Sequence, residues 1–224
     1  MSAINKQIGY YKPEQFTSSK IIIVDTLDNQ VDTKDFEKYC TLAVRALDNL
    51  LDYQDYPIKA AEKGTMNRRP LGIGIINLAF WMAKNGMTYT QPNLEMIDTF
   101  AEAWSYYLIK ASADLAEEQG ACLWSDQTKY HNGLTPNQTY KQDVDELVAH
   151  KERMPWRELR DQLKRTGIRN STLMALMPAE TSAQISNATN GIEPPRSLVS
   201  VKQSKHGVLT VSYTHLTLPT NREV

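Results

Sequence analysis

A chain of 224 residues is long enough to bury roughly 70% of its unfolded surface in a core of its own, which excludes a disulfide-stapled miniprotein. Hydrophobic residues are 41% and charged residues 23%, and 25 Lys+Arg against 26 Asp+Glu give a formal net charge of -1. That balance excludes a cation excess suited to polyanions and an acidic disordered tract. The two cysteines, Cys40 and Cys122, have no CxxC spacing, and His131, His150, His206 and His215 form no HExxH or Cys/His cluster, so no zinc site is expected. The start MSAINKQIGYY lacks a secretory leader pattern, and the most apolar stretch, LGIGIINLAFWMA at 71–83, is broken by Asn77 and shorter than the roughly 18 residues of a membrane span. The expectation is a cytoplasmic protein with no membrane and no nucleic acid among its partners, in which the N-x-T triplets at Asn137, Asn170 and Asn187 are chance matches.

In chain order, IIIV at 21–24 reads as a short buried strand or a turn of helix. From Thr33 to Tyr53, Phe36, Cys40, Val44, Leu47 and Leu51 recur at three and four, a core-facing helical stripe starting near an Asp32 or Thr33 cap. Cys40 on that stripe reads as a small buried hydrophobe. The polar run Lys63 to Arg69 reads as exposed, with Arg68 and Arg69 solvated or, as the alternative, contacts for an anion, and a helix is expected from about Pro70 to Asn85, closed by Gly86. Gly72 and Gly74 each cost that helix up to about 1 kcal/mol of propensity, which close packing would have to offset. A long helix follows from Pro92 to about Gln119, with Leu94, Ile97, Ala101, Trp104, Leu108, Ala111 and Leu115 on one face. Residues 121–142 read as a loop, and PWRELRDQLKRT at 155–166 as a short helix between Pro155 and Gly167. The seven Lys/Arg against three Asp/Glu from Lys151 to Arg169 make too small a basic face to indicate nucleic-acid binding.

The character of the sequence changes at RNSTLMALMPAETSAQISNATNGIEPPR, residues 169–196. Leu173 to Met177 reads as a short buried strand stopped by Pro178, leading through Ala179, Glu180, Thr181 and Ser182 into a helix start. A strand, a tight turn and a helix start leave backbone N–H groups without internal acceptors, and those donors, with the two hydroxyls and the helix dipole, suit a phosphate. An ordinary N-capped helix fits the same spacing. Downstream, Gln184, Ser186, Asn187, Thr189 and Asn190 would give a polar ligand face.

The stretches LAVRALDNLLDYQDYP at 42–57, RRPLGIGIINLA at 68–79, ASADLAEEQGA at 111–121 and above all residues 169–196 resemble the large, catalytic alpha chain of class I ribonucleoside-diphosphate reductase, over roughly residues 1–211. The resemblance implies an α/β fold, a helix-rich partial segment of a ten-stranded alpha/beta barrel. The implied reaction reduces ribonucleoside diphosphates to 2'-deoxyribonucleoside diphosphates by thiyl-radical chemistry. Its PxETS-type turn corresponds to Pro178, Ala179, Glu180, Thr181 and Ser182 and would hold the substrate diphosphate, with Ala179 departing from the commoner serine.

By the same resemblance the radical-bearing cysteine, the reducing cysteines, an Asn-x-Cys-x-Glu segment, the ATP cone with its ATP/dNTP effector site, the radical-transfer tyrosines and the C-terminal thiol pair lie outside this chain. Cys40 and Cys122 match none of those roles, so no catalytic residue is assigned here. No cofactor is expected to bind the chain directly, since the radical metallocofactor belongs to the small beta subunit. The implied partners are the ribonucleoside diphosphate, the missing N-terminal part of the alpha chain, the beta subunit, thioredoxin or glutaredoxin, and a second alpha chain in a homodimer. SYTHLTLPTNREV at 212–224 no longer follows the family and reads as an artefactual tail. Two histories fit, a fragment of a normal gene or one half of a split gene, and the isolated chain is expected to be inactive. A non-catalytic helical interaction module with a vestigial phosphate turn is the alternative.

Overall fold

The computed structural model describes residues 26–27, 30–31, 35–149, 151–179, 182–183, 186, 188–195, 199–204 and 207–212. The IIIV run and the Asp32/Thr33 cap lie outside them. The chain forms two compact units, one from the residues up to Ile73 together with Leu94–Ala175, the other from Gly74–Asn93 and the residues from Leu176 onward.

In the first unit, the short strands β1 (Thr26–Leu27) and β2 (Gln30–Val31) pair antiparallel ahead of helix α1 (Phe36–Tyr53). Phe36, Cys40 and Val44 bury the expected stripe of α1. The stripe then continues not through Leu47 and Leu51, which are only half-buried, but through Asp48, which is fully buried. Helix α2 (Lys59–Arg68) occupies the run that the sequence left as an exposed polar segment, and it ends on Arg69 in the left-handed region, φ 46°.

The expected 70–85 helix forms only in its second half. Residues 70–76 are not helical, and Ile73 bridges Met174 in parallel, donating its N–H to the Leu173 carbonyl (2.8 Å) and accepting the Ala175 N–H (3.0 Å). The propensity cost of Gly72 and Gly74 is therefore not offset by a helix: the backbone hydrogen bonds go to another segment instead.

Helix α4 (Leu94–Gln119) is the centre of this unit, after α3 (Leu78–Lys84) of the second. Between Glu102 and Ala116 it is buried on nearly every side, which follows from α1 packing on one flank and α6 (Trp156–Thr166) on another. Small residues at Ala103, Ala111, Ser112, Ala113 and Ala116 let those neighbours approach, whereas Ala101, placed on the core face by periodicity, is exposed. Phe36 meets Phe100 edge-on at 5.7 Å and Tyr106 meets Trp156 at 5.1 Å. Helix α6 buries Trp156, Leu159 and Leu163, about 1.5–3 kcal/mol each for large apolar side chains. Its start is held by Glu102 of α4, which accepts the Arg153 N–H (2.7 Å), the Met154 N–H (3.1 Å) and the Trp156 indole N–H (2.8 Å). The expected 121–142 loop contains 3-10 turns at Ser125–Gln127 and Lys129–Asn132 and the short helix α5 (Pro136–Thr139), with a capping box between Thr135 and Gln138.

In the second unit, α3 starts after Asn77, itself left-handed at φ 70°, and buries Ala79 and Met82. A hairpin of β3 (Val199–Ser204) and β4 (Gly207–Ser212) pairs Val199 with Ser212 and Ser204 with Gly207.

The α/β barrel segment implied by resemblance is not what forms. Among the described residues the extended structure amounts to two separate antiparallel pairs and the single Ile73–Met174 bridge, and the remaining regular structure is helical. A barrel needs every strand paired on both edges, and no third strand joins the only parallel contact among those residues.

Candidate functional site

Two arrangements flank the segment singled out by the sequence. The first is a polar core under its beginning, in the first unit. Asp48, with 0% exposure, accepts from Arg69 Nε (2.6 Å) and Asn170 Nδ2 (2.8 Å) on one oxygen and from Arg169 Nε (3.1 Å) on the other. Asp52, one helical turn later, takes both terminal nitrogens of Arg69 at 2.8 and 2.6 Å, the paired geometry that favours Arg over Lys. Asn170 accepts the Ser112 hydroxyl (2.8 Å), returns its N–H to the same Oγ (3.0 Å), and donates to the Arg69 carbonyl (3.1 Å). Arg169 also donates to the carbonyls of Gln119 and Gly120 at the C-terminal end of α4, where the helix dipole favours a cation.

Two carboxylates and two guanidiniums balance in charge, so Asp48 and Arg69 are buried without a stranded ion while Asp52 stays at the surface. Its hydrogen bonds to Asp52 and Asp48 hold the Arg69 guanidinium above its usual range, and the Arg69 contact holds the Asp52 carboxyl below the usual carboxylate range. Arg69, expected to be solvated beside Arg68, is 4% exposed. Of this cluster the sequence marked only Arg69, as an alternative anion contact, and the structure spends its guanidinium on Asp48 and Asp52 instead. The available signal was the four-residue period 36, 40, 44, which puts an aspartate at the next core position.

From this anchor the chain runs out through 171–178. Leu173 is buried, but Leu176 is 60% exposed and Met177 is exposed too, so the expected buried strand 173–177 is buried only at its start. Its pairing ends where Ala175 donates to Ile73.

The second arrangement is the turn itself, in the second unit. Of the five residues assigned to it, Pro178, Ala179 and Ser182 are described, whereas Glu180 and Thr181 lie outside the described residues. The Ala179 carbonyl accepts the Ala183 N–H (2.8 Å), the i to i+4 closure of a helical turn, and the Ser182 carbonyl accepts both the N–H (3.2 Å) and the hydroxyl (2.8 Å) of Ser186. Ala179 donates its own N–H to Asn190 Oδ1 at 2.6 Å.

The return segment is pinned in turn by Asn77, whose N–H reaches the Thr189 carbonyl (2.9 Å) and whose Oδ1 accepts the Thr189 N–H (3.0 Å). Thr189 is fully buried, and its hydroxyl has no partner among the described residues. Tyr89 donates its hydroxyl to the Ile192 carbonyl (2.7 Å). The polar face expected from Ser186, Thr189 and Asn190 is thus spent largely on shaping the loop, while Gln184 and Asn187 lie outside the described residues.

Burial pushes the Cys40 thiol up to about 12 and also raises that of Cys122, and both cysteines are free. A buried, protonated thiol is a poor nucleophile. Among the described residues no group of three or more His, Cys, Asp or Glu could hold a metal ion, and no helix is long and apolar enough to cross a membrane.

A family model described as "Ribonucleotide reductase, barrel domain" matches residues 17–221. The chain is 56% identical over 171 residues to ribonucleoside-diphosphate reductase 1 subunit alpha of Salmonella typhimurium, which covers 74% of this chain and 22% of that protein. It is 54% identical over 171 residues to the Escherichia coli subunit of the same name, with 74% and 22% covered. Against the ribonucleoside-diphosphate reductase subunit alpha of Enterobacteria phage T4 the identity is 48% over 184 residues, covering 81% and 24%. The chain therefore spans about a quarter or less of the length of these relatives, and it belongs to the class I ribonucleoside-diphosphate reductase alpha-chain family.

Proposed function

From that family membership we propose that this chain is the substrate-phosphate-holding part of a ribonucleoside-diphosphate reductase alpha subunit, gripping the diphosphate of a ribonucleoside diphosphate at Pro178, Ala179, Glu180, Thr181 and Ser182. The supporting observation is the helical turn closed between Ala179 and Ala183 inside the 169–196 segment. A helical turn that starts at Ala179 leaves its first amides without internal acceptors, and an anion satisfies them while drawing on the dipole. Asn190 takes the Ala179 amide, so that residue shapes the turn rather than donating its N–H to the anion.

The chain's part in the reaction is binding and orientation. Holding the diphosphate fixes where the ribose lies, so that the chemistry at the 2' and 3' carbons proceeds from one geometry. The overall change replaces the 2' C–O bond by C–H, releases the oxygen as water and oxidises a dithiol to a disulfide. The cysteines for that change come from the rest of the alpha subunit, and thioredoxin or glutaredoxin resets them. The beta subunit's metallocofactor supplies the oxidising equivalent that starts radical chemistry, and ATP/dNTP effectors act on the rest of a dimeric alpha subunit.

Thr181→Ala in the complete enzyme removes one charge-assisted hydrogen bond of about 1.5–3 kcal/mol, or roughly one to two decades in affinity for CDP or ADP by calorimetry. Ala179→Asp weakens binding further by setting a carboxylate beside the anion, while Cys40→Ser leaves affinity unchanged. Parental affinity in folded Thr181→Ala and Ala179→Asp enzymes refutes the site.

A further inference from the structure

A cleft of about 300 Å³ opens in the first unit between the end of α2, the 3-10 turns after α4 and the segment that leads away from Asn170. This size is at the small end of the range of about 300–1,000 Å³ for ligand pockets. Its lining includes two cations, Arg68 and Lys129, and no carboxylate. The other arginines of this unit that are tied into its structure, among them Arg45, Arg69, Arg153 and Arg160, all pair with acids. Arg68 and Lys129 pair with none among the described residues. Arg68 is instead positioned by an aromatic face, its guanidinium 4.9 Å from the centre of the Trp124 ring, an arrangement that leaves its N–H edges available.

The hydroxyls of the cleft divide into two groups. The Thr128, Thr139 and Thr172 hydroxyls donate to the carbonyls of Ser125, Thr135 and Leu71, the Thr135 hydroxyl donates to Asn137 Oδ1, and all four are spent within the fold. Gln127, Tyr130 and Ser171 also line the cleft, and their side-chain donors have no acceptor among the described residues. Burial pushes the Tyr130 phenol up to about 12, so it remains an O–H donor at neutral pH. Two unpaired cations, three free donors and no acid make a site for an oxyanion. Cations and hydrogen-bond donors are what the lining leaves unspent, so recognition is of the phosphoryl group.

We propose that the cleft bounded by Arg68, Lys129, Tyr130 and Ser171 is a second phosphate site, taking a phosphoryl or pyrophosphoryl group of a small molecule through residues other than those of the 178–182 turn. The proposal stands independently of the reading of that turn.

Calorimetric titration of the chain with inorganic pyrophosphate tests it. The expected result is a binding event that Arg68→Gln/Lys129→Gln weakens by roughly one to two decades, as for loss of a charged hydrogen bond, and that Thr181→Ala leaves unchanged. Unchanged affinity in the Arg68→Gln/Lys129→Gln chain, or binding sensitive only to Thr181→Ala, overturns the proposal. On the unaltered chain, pyrophosphate should slow acylation of the Lys129 amine as read by mass spectrometry, with Lys63 as the internal reference. Equal Lys129 labelling with and without saturating pyrophosphate overturns it as well.

Discussion

Asp48→Ala is the substitution to which the first unit is most exposed. It deletes a fully buried carboxylate that accepts from Arg69, Asn170 and Arg169, and leaves a cavity facing two guanidiniums. Part of the loss is cushioned. Arg69 keeps its two bonds to Asp52, Arg169 keeps the carbonyls of Gln119 and Gly120, and Asn170 keeps the Arg69 carbonyl. Breaking a buried ion pair by removing one partner costs about 3–5 kcal/mol, against a typical total of about 5–15 kcal/mol, so the variant should retain between none and about four-fifths of its stability. Asp48→Asn preserves the shape but turns an N–H toward a guanidinium, an unsatisfied buried donor costing about 1–3 kcal/mol. The reference is Arg45→Ala, whose partner Glu118 lies at the surface, where solvent screens the pair. Urea unfolding followed by far-ultraviolet circular dichroism reads all three. If Asp48→Ala falls within about 1 kcal/mol of Arg45→Ala, the cluster does not hold the fold and the reasoning fails.

The Asp52 carboxyl is depressed by Arg69, so its contribution is present above the unfolded value near about pH 4 and is lost as pH falls through the lower folded value. Acid titration of stability should therefore decline less steeply in Asp52→Asn than in the parent, and identical slopes would show that the contact carries no linkage. Asn77→Gly should remove the bond to the Thr189 N–H at about 0.5–1.5 kcal/mol, and Asn77→Ala should cost about 1–2 kcal/mol more because of its left-handed backbone, with equal stabilities as the contrary result. Trp156→Phe takes one of four donors from Glu102 and should cost at least about 1–3 kcal/mol by thermal unfolding, whereas a change near zero would mean that the Arg153 and Met154 amides and the Arg153 guanidinium suffice.

The helices that could be read from the sequence are those whose apolar period agrees with their capping signals. Phe36–Tyr53, Leu94–Gln119 and Trp156–Thr166 all have a three- or four-residue stripe and a Gly or Pro boundary nearby, and their bounds come close to expectation. Residues 70–85 failed for a reason that was itself legible: LGIGII is apolar enough for a helix, but its two glycines lower the helical preference, and Met174, a hundred positions away, offers backbone pairing instead. Helix α2 was missed because no residue of it is buried, so no periodicity announces it. The barrel came only from resemblance, and a sheet's closure depends on partners at every edge, which no local pattern encodes.

The same divide runs through the candidate site. Pro178 to Ser182 could be located because proline, hydroxyls and a helix start mark a turn in any context. What fixes the turn comes from far along the chain: Asn190 takes the Ala179 amide, and Asn77 takes both backbone groups of Thr189. A run of amides and hydroxyls after such a turn therefore reads equally well as ligand contacts or as loop scaffolding. The deciding quantity is whether each polar atom is already paired. By that measure Asn190 and Ser186 are scaffold, whereas Arg68, which the sequence offered as an alternative anion contact, and Lys129, on which the sequence carried no reading, pair with no acid among the described residues.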